Sequence, residues 1–130
     1  MNNGKAVILA VDDNPTNLKL IASLLEFEGY TVLRAEDAEK AQEVVARTLP
    51  DLVLMDIGLP GMDGLALTRL LKADERTRRV PVIALTSFAM KGDDQKAKDA
   101  GCDAYISKPI DTRKLPLQVA QWLEKTAQRI

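Results

Sequence analysis

The chain has 130 residues, enough for one domain with a single hydrophobic core and too few for two. Its net charge of −1 gives no basis for nucleic-acid binding, and its longest apolar run, residues 6–11, is too short for a membrane span or a signal peptide. The absence of histidine excludes imidazole zinc sites and histidine-dependent nucleophiles, and the single cysteine, Cys102, excludes an internal disulfide. We therefore expect a cytoplasmic protein with one domain spanning residues 1–130.

The first half of the chain alternates strand and helix patterns. The apolar run at 6–11 predicts a strand, and Asn14 and Pro15 then suit the N-cap and the first position of a helix that Gly29 ends. The apolar residues of this helix fall on one face and are Leu18, Ile21, Ala22 and Leu25. The other elements predicted here are strands at 31–34 and 52–55 and a helix at 38–47, before Pro50.

The second half continues the alternation. A turn-rich segment, 58–64, leads into a third helix that Asp63 can cap. The helix predicted at 93–100 has two alanines as its apolar residues, so we expect it to be weakly anchored and able to move. Strands are also predicted at 82–85 and 104–106, and the inward side chains are Leu67, Leu70, Leu71, Ala97 and Ala100.

The last helix has two alternative starts. Pro116 fits either the first turn of a helix that begins near Thr112 or the first position of a helix that begins at Pro116 itself. This helix carries Leu117, Ala120 and Leu123 as its apolar residues. Strands that alternate with helices along the whole chain predict a parallel α/β sheet with crossover helices.

Polar residues stand at the ends of four predicted strands. Asp12 and Asp13 close the first strand, Asp56 the third and Thr86 the fourth, and Lys108 follows the fifth. Ligands of an open parallel sheet bind outside the carboxyl ends of its strands, so we expect these residues to form one site. Helix capping alone would explain the acidic pair, but not the polar residues on the other strands.

The residue types in this group favour phosphoryl chemistry. Three carboxylates repel one another unless a cation is bound, and a donor set of oxygens alone favours Mg²⁺. Thr86 and Lys108 supply a hydroxyl donor and a positive charge for a phosphoryl group. Asp56 stands alone at the end of a central strand, so we predict it to be the nucleophile that forms an aspartyl phosphate.

These residues resemble the receiver domain of two-component signalling, the CheY-like family, over essentially the whole chain. The matching features are the acidic pair, the stretch LMDIGLPGMDG around Asp56, the threonine, and Tyr105 ahead of the Lys108-Pro109 step. The stretches TSFAMKGD and AGCDAYISKPI are most similar to single-domain cell-division regulators and to receivers of hybrid kinases. The resemblance implies a flavodoxin-like (βα)5 fold, a three-layer α/β sandwich whose parallel sheet has the order 2-1-3-4-5.

The resemblance also implies an acceptor and a metal site. Asp56 would accept a phosphoryl group from a phosphohistidine of a partner protein. Asp13, Asp56 and the backbone carbonyl of Gly58 would bind Mg²⁺, and Asp12 would act through a water molecule.

Further residues are implied to respond to phosphorylation. Lys108 would contact the phosphoryl group, and Thr86 would move toward it while Tyr105 changes rotamer. An ordinary core aromatic is the alternative interpretation of Tyr105. Pro109 would follow a cis peptide bond, the form that costs least before proline.

The function implied is that of a response regulator, a phosphoprotein that promotes its own phosphorylation and is not an enzyme in the usual sense. Gly58 and Phe88, at two positions where the family varies most, have no polar group to orient an attacking water, so we expect slow loss of the phosphoryl group. Two alternatives stay open. The chain could be the receiver fragment of a hybrid histidine kinase, or a Mg²⁺-dependent phosphatase, which would need a second acid and a substrate cap.

The partners implied are proteins. A histidine kinase or a histidine phosphotransfer protein would donate the phosphoryl group, and a downstream protein target, such as a kinase, would read the phosphorylated state. We expect no binding of nucleic acid and no insertion into membranes. We expect a monomer, because the last two helices and the fifth strand have no long apolar stripe beyond Tyr105, Ile106 and Trp122 that would demand a dimer.

Overall fold

The structure, a computed structural model, describes residues 6–57, 64–86, 93–107 and 110–127. Within these ranges strands and helices alternate along the chain. The strands are β1 (Val7–Val11), β2 (Thr31–Ala35), β3 (Leu52–Asp56), β4 (Val82–Thr86) and β5 (Ala104–Ser107). The helices are α1 (Pro15–Phe27), α2 (Ala38–Arg47), α3 (Gly64–Ala73), α4 (Asp93–Ala100) and α5 (Lys114–Ala127). None of the helices in the described ranges is long and apolar enough to cross a membrane.

All five strands are parallel and form one sheet in the order β2-β1-β3-β4-β5. Ile8 and Ala10 pack with buried residues of α1 and α5, whereas Leu9 and Val11 pack with buried residues of α2 and α3. Successive strand residues point to opposite faces, so these two clusters lie on the two sides of the sheet. The predicted flavodoxin-like three-layer fold and its strand order are confirmed.

Helix α1 begins and ends where the sequence predicts. The Asn14 side chain accepts hydrogen bonds from the backbone N–H groups of Thr16 (2.9 Å) and Asn17 (3.1 Å), and Pro15 is the first helical residue. Gly29 follows the helix with φ of 98°, a left-handed conformation that favours glycine. The predicted inner face is confirmed, since its four residues, Leu18, Ile21, Ala22 and Leu25, are all buried.

Strands β3, β4 and β5 each extend one residue beyond the predicted end. The prediction ended each strand at its last apolar residue, but the ladder continues through the polar residue that follows. Asp56 pairs in register with Leu85, and Thr86 pairs with Ser107. The backbones of Asp56 and Thr86 are therefore held by the sheet itself.

The inner face of α3 is narrower than the sequence predicts. Leu67 and Leu71 are buried, but Leu70, also predicted to face the sheet, is 47% exposed. Leu67 and Leu71 are four residues apart and lie one above the other on the helix, whereas Leu70 falls to the side of that stripe. The prediction for Leu70 is therefore wrong.

Helix α5 begins at Lys114, so Pro116 lies within its first turn. The observed start is two residues from each of the two predicted starts, and Pro116 lies in the first turn, as the first alternative requires. The Asp111 side chain accepts hydrogen bonds from the backbone N–H groups of Arg113 (2.9 Å) and Lys114 (3.2 Å). These two bonds lower the pKa of the Asp111 carboxyl, the bond from Arg113 having the larger effect.

The inner face of α5 also differs from the apolar residues singled out in the sequence. Leu115 and Val119 are buried, and Leu123 is partly buried against the same cluster. Leu117 is 65% exposed, and Ala120 is also exposed. The residues that pack are four apart from Leu115 onward, so Leu123 lies on the inner face and Leu117 and Ala120 do not.

A lysine clamp fixes the amino-terminal edge of the sheet on the β4–β5 side. The Lys72 ammonium donates hydrogen bonds to the carbonyls of Arg78 (3.2 Å) and Val80 (2.8 Å) and to the Asp103 carboxylate (2.9 Å). The same Asp103 oxygen accepts the backbone N–H of Val82 at 2.8 Å. Both charged side chains are largely shielded from solvent. The clamp therefore ties the end of α3 to the first residue of β4 and to the turn before β5.

We predict that Asp103→Ala lowers the free energy of unfolding by about 1–3 kcal/mol, because both the lysine and the N–H of Val82 lose a partner. Urea unfolding measures the change. The control is Asp99→Ala, since Asp99 is exposed and its carboxylate accepts a hydrogen bond from the Gln95 side chain of the same helix at 2.9 Å. The control should shift stability by no more than about 0.5 kcal/mol. Equal effects of the two substitutions would contradict the clamp.

Candidate functional site

Three carboxylates converge at the carboxyl edge of the sheet. One oxygen from each of Asp12, Asp13 and Asp56 lies within 4.8 Å of the others. The strand order explains the convergence, because β1 and β3 are neighbours and Val11 pairs with Met55. The residues that follow this pair in the two strands therefore come side by side. The structure brings together the three aspartates that the sequence assigned to one site.

The two members of the acidic pair are held differently. Asp12 is fully buried, its N–H donates to the carbonyl of Ala35 at 3.1 Å, and its Oδ1 accepts the N–H of Asn14 at 2.9 Å. Asp12 is thus fixed between the end of β2 and the start of α1. Asp13 is exposed. One carboxylate of the pair is set by the fold, and the other is open to solvent.

Asp56 occupies the central position of the site. It is the last residue of β3, the middle strand of the sheet, and only 5% of it is exposed. The next backbone N–H, that of Ile57, donates to the carbonyl of Leu85 at 3.2 Å. The acidic pair therefore lies on one side of Asp56, and strand β4 lies on the other.

Thr86 closes β4 on the side of Asp56 away from the acidic pair. It is buried, with 2% of its surface exposed. Tyr105, on the neighbouring strand β5, is 46% exposed, so the interpretation of Tyr105 as an ordinary core aromatic is wrong.

Four residues of the predicted site lie outside the described residues. The described part of β5 ends at Ser107, immediately before two of them. The four are Gly58, Phe88, Lys108 and Pro109. The predicted helix cap Asp63 also lies outside the described residues.

The donor set of the three aspartates fits a hard divalent cation. All of the donor atoms in the cluster are carboxylate oxygens, which suit Mg²⁺ better than softer metals. Magnesium commonly binds to a small number of protein carboxylates and keeps other positions for water and phosphate. The cluster could therefore hold Mg²⁺ and leave room for a phosphoryl ligand.

Cys102 lies away from these carboxylates, in the turn before β5. Its thiol is within 3.9 Å of the Thr68 hydroxyl, and it is half-buried, as the sequence predicted. Burial is the main reason why the pKa of the Cys102 thiol is raised. A raised pKa disfavours the reactive thiolate.

Gly64 is a contributor to the site that the sequence did not single out. It is the first residue of α3, and a Cβ added there would overlap the carbonyl oxygen of Asp56 and lie 2.7 Å from Cα of Ile57. In the sequence Gly64 was only one turn former among several in 58–64. The close approach depends on tertiary packing, so the sequence carries no direct signal for it.

Comparisons with known proteins agree with this geometry. A family model described as response regulator receiver domain matches residues 8–120. Over 116 residues the chain is 43% identical to the polar-differentiation response regulator DivK of Brucella ovis, and the match covers 89% of this chain and 94% of that protein. The predicted similarity to CheY-like receivers and to single-domain cell-division regulators is confirmed.

Solved structures show the same fold. A CheY-like response regulator receiver domain protein from Methanospirillum hungatei JF-1 is 32% identical with a TM-score of 0.88, and the match covers 97% of this chain and 99% of that chain. The receiver domain of a sensor histidine kinase from Pseudomonas aeruginosa PAO1 is 38% identical with a TM-score of 0.85, over 92% of this chain and 98% of that chain. That receiver has a magnesium ion coordinated in its active site cleft.

We predict that Asp13→Asn weakens Mg²⁺ binding on the order of tenfold, and that Asp12→Asn weakens it less. The reason is that Asp13 is the exposed carboxylate expected to bind the ion directly, whereas Asp12 is expected to act through water. Calorimetric titration of both variants with MgCl₂ measures the two affinities. Equal losses, or a larger loss for Asp12→Asn, would contradict this ranking.

Without magnesium, Asp13→Asn should raise the melting temperature, because it relieves repulsion among three nearby carboxylates. The expected gain in stability is about 1 kcal/mol. Asp37→Asn is the matched control, since Asp37 is an exposed helix cap outside the cluster and asparagine caps equally well. Thermal melts in EDTA decide the point. A variant of Asp13 that is no more stable than the control would show that the repulsion is negligible.

Proposed function

We propose that this chain, which belongs to the response regulator receiver domain family, receives a phosphoryl group on Asp56 and thereby changes its affinity for a partner protein. Receivers of this family are signalling proteins of two-component systems and are not classical enzymes. The convergence of the three carboxylates of Asp12, Asp13 and Asp56 within 4.8 Å is the observation that supports the proposal most strongly.

The positions of the three carboxylates favour Asp56 as the acceptor. Asp12 is buried and its Oδ1 is engaged by the N–H of Asn14, and Asp13 lies at the surface. Asp56 stands between this pair and Thr86, so a group bound to it would have metal ligands on one side and a hydroxyl donor on the other. That arrangement matches the charge distribution of a transferred phosphoryl group.

The transfer itself is a displacement at phosphorus. An oxygen of the Asp56 carboxylate forms a bond to the phosphorus of a partner's phosphohistidine, and the bond from phosphorus to the imidazole nitrogen breaks. The leaving imidazole takes up a proton and becomes neutral histidine. We propose that Lys108 contacts the phosphoryl oxygens. Attack of water later breaks the bond between phosphorus and the Asp56 oxygen, which releases inorganic phosphate and restores the carboxylate. We propose that this hydrolysis is slow, because neither Gly58 nor Phe88 has a polar group to orient the attacking water.

Asp13, Asp56 and the backbone carbonyl of Gly58 are the proposed ligands of Mg²⁺, with Asp12 acting through a water molecule. When bound, the ion would neutralise part of the charge on the phosphoryl oxygens and on the carboxylates around them. The magnesium in the Pseudomonas receiver and the all-oxygen donor set of this chain support the assignment.

The proposed partners are a histidine kinase or a histidine phosphotransfer protein as donor, and a downstream protein, such as a kinase, as target. We propose a cytoplasmic protein with one receiver domain over residues 1–130, and the similarity to DivK over 94% of that regulator supports the single domain. A second candidate is the receiver of a hybrid histidine kinase, which the 38% identity to the Pseudomonas kinase receiver supports. Both candidates share the same acceptor chemistry.

We predict that Asp56→Asn abolishes phosphorylation by a small phosphodonor such as acetyl phosphate with Mg²⁺, because an amide is not a nucleophile toward phosphorus. Intact mass spectrometry measures the mass added by the phosphoryl group, and peptide mapping locates it. Asp99→Asn, which changes an exposed aspartate on α4, is the control and should be labelled like the wild type. Full labelling of Asp56→Asn at the same peptide would refute the assignment.

We further propose that Thr86 and Tyr105 couple the acceptor to the surface. A phosphoryl group on Asp56 would give the Thr86 hydroxyl a charged acceptor, and such hydrogen bonds contribute about 1.5–3 kcal/mol. A two-state segment shifts its population by roughly ten- to a hundredfold under a bias of that size. Helix α4 is a suitable responding element, because its buried side chains, Ala97 and Ala100, are small.

Thr86→Ala should therefore reduce the phosphorylation-dependent gain in partner affinity by about tenfold even when Asp56 is fully phosphorylated. Binding of the phosphorylated and unphosphorylated forms to the same partner gives the gain for each variant. Thr86→Ser keeps the hydroxyl and should restore most of the gain. If the alanine variant keeps the full gain, Thr86 does not take part in the switch.

A further inference from the structure

Gly64 has no space for a side chain beside the backbone of Asp56. An added Cβ would overlap the carbonyl oxygen of Asp56 and would lie 2.7 Å from Cα of Ile57 and 2.9 Å from the carbonyl carbon of Asp56. All three neighbours are backbone atoms, which cannot rotate away as the end of a flexible side chain can. A side chain at Gly64 therefore requires either the start of α3 or the peptide that carries the acceptor to move.

The backbone conformation does not itself demand glycine at this position. Among the glycines described, Gly29 and Gly101 have positive φ, whereas Gly64 does not. Any residue could adopt the φ of Gly64, so the requirement for glycine comes from the space next to Asp56. The demand is thus specific to the packing of α3 against the end of β3.

Both the peptide of Asp56 and the first turn of α3 are anchored by other contacts. The N–H of Ile57 donates to the carbonyl of Leu85, which fixes the acceptor peptide on the side of β4. The carbonyl of Gly64 accepts a hydrogen bond from the fully buried Thr68 hydroxyl at 2.7 Å, and Leu67 is buried in the core. The acceptor peptide is therefore held between β4 and the first turn of α3.

We infer that Gly64 is a positioning residue for phosphorylation, because the absence of a side chain there lets α3 seat the Asp56 backbone at the distance from Asp12 and Asp13 that the reaction needs. This inference rests on the proposed role of Asp56 as the phosphoacceptor. Phosphoryl transfer depends mainly on positioning and electrostatics, and a displacement of about 1 Å can cost a hundredfold in rate.

The test compares the same substitution at two glycines. Gly64→Ala pushes on the acceptor peptide, whereas Gly101→Ala strains a residue with φ of 104° and places a Cβ 2.8 Å from Cγ of the Lys72 side chain. Gly101 lies in the turn before β5, at the opposite edge of the sheet from the acceptor. The control therefore lowers stability without touching the site.

Each variant is measured for urea stability, for Mg²⁺ affinity by calorimetry, and for the rate of Asp56 labelling by acetyl phosphate at saturating Mg²⁺. Experiments are run at a temperature where all variants are fully folded. We expect Gly64→Ala to lose at least about tenfold in labelling rate and to bind Mg²⁺ more weakly. Gly101→Ala should lose stability and keep both the rate and the affinity.

Three results overturn the inference. A folded Gly64→Ala that is labelled at the wild-type rate removes the positioning role. A rate loss in Gly101→Ala equal to that in Gly64→Ala shows that general destabilisation is the cause. If Asp56 is not labelled in the wild type, the proposed function is refuted and the inference with it. This third result differs from the first two, in which the wild type is labelled.

If Gly64→Ala does not fold, Thr68→Val decides the question. It removes the hydroxyl that bonds to the carbonyl of Gly64 and keeps the shape of the side chain. We expect Thr68→Val to be labelled several-fold more slowly than the wild type. Thr68→Ser should be labelled at close to the wild-type rate, because serine keeps the hydrogen bond. Wild-type labelling by Thr68→Val in the folded state overturns the inference.

Discussion

The main electrostatic constraint on this domain is the repulsion among three carboxylates that the sheet brings close together. Two unit charges about 4 Å apart interact by about 4 kcal/mol at the effective dielectric constant near a protein surface. One oxygen from each of Asp12, Asp13 and Asp56 lies within 4.8 Å of the others, but solvent screens the exposed Asp13, so the folded chain holds a smaller cost, about 1 kcal/mol. Net stability of a domain is only about 5–15 kcal/mol, so a cost of this size is measurable. The fold is therefore in a state that a bound cation stabilises.

The surrounding structure lowers this cost at one carboxylate in particular. Asp12 is buried, where an unsupported charge would be most unfavourable, yet its Oδ1 accepts the N–H of Asn14 just before the first turn of α1. Helix N-termini favour negative charge through their exposed N–H groups. The same helix start that Asn14 caps thus supports the deepest acidic group of the site. Asp13, which is exposed, relies on solvent instead.

Much of the fold and of the candidate site could be predicted from local sequence. Asn14, Pro15 and Gly29 mark the ends of α1 by local chemistry, and Asp56 and Thr86 mark strand ends because each follows a run of apolar residues. Helix faces were less predictable. Where leucines occur three and four residues apart, periodicity allows more than one face, and packing against the sheet decides between them. Leu70 was predicted to face the sheet and is exposed, and Leu117 and Ala120 of α5 are exposed although they are apolar.

Gly64 shows why the geometry of a site is harder to predict than its chemistry. The aspartates carry side chains whose chemistry can be recognised in isolation, whereas Gly64 contributes through the absence of one. Its requirement appears only when α3 returns to the sheet and meets the peptide of Asp56. Close packing transmits such a contact because backbone atoms on both sides are already engaged, by Leu85 on one side and by Thr68 on the other. The position of a reactive carboxylate is thus set in part by residues with no reactive group.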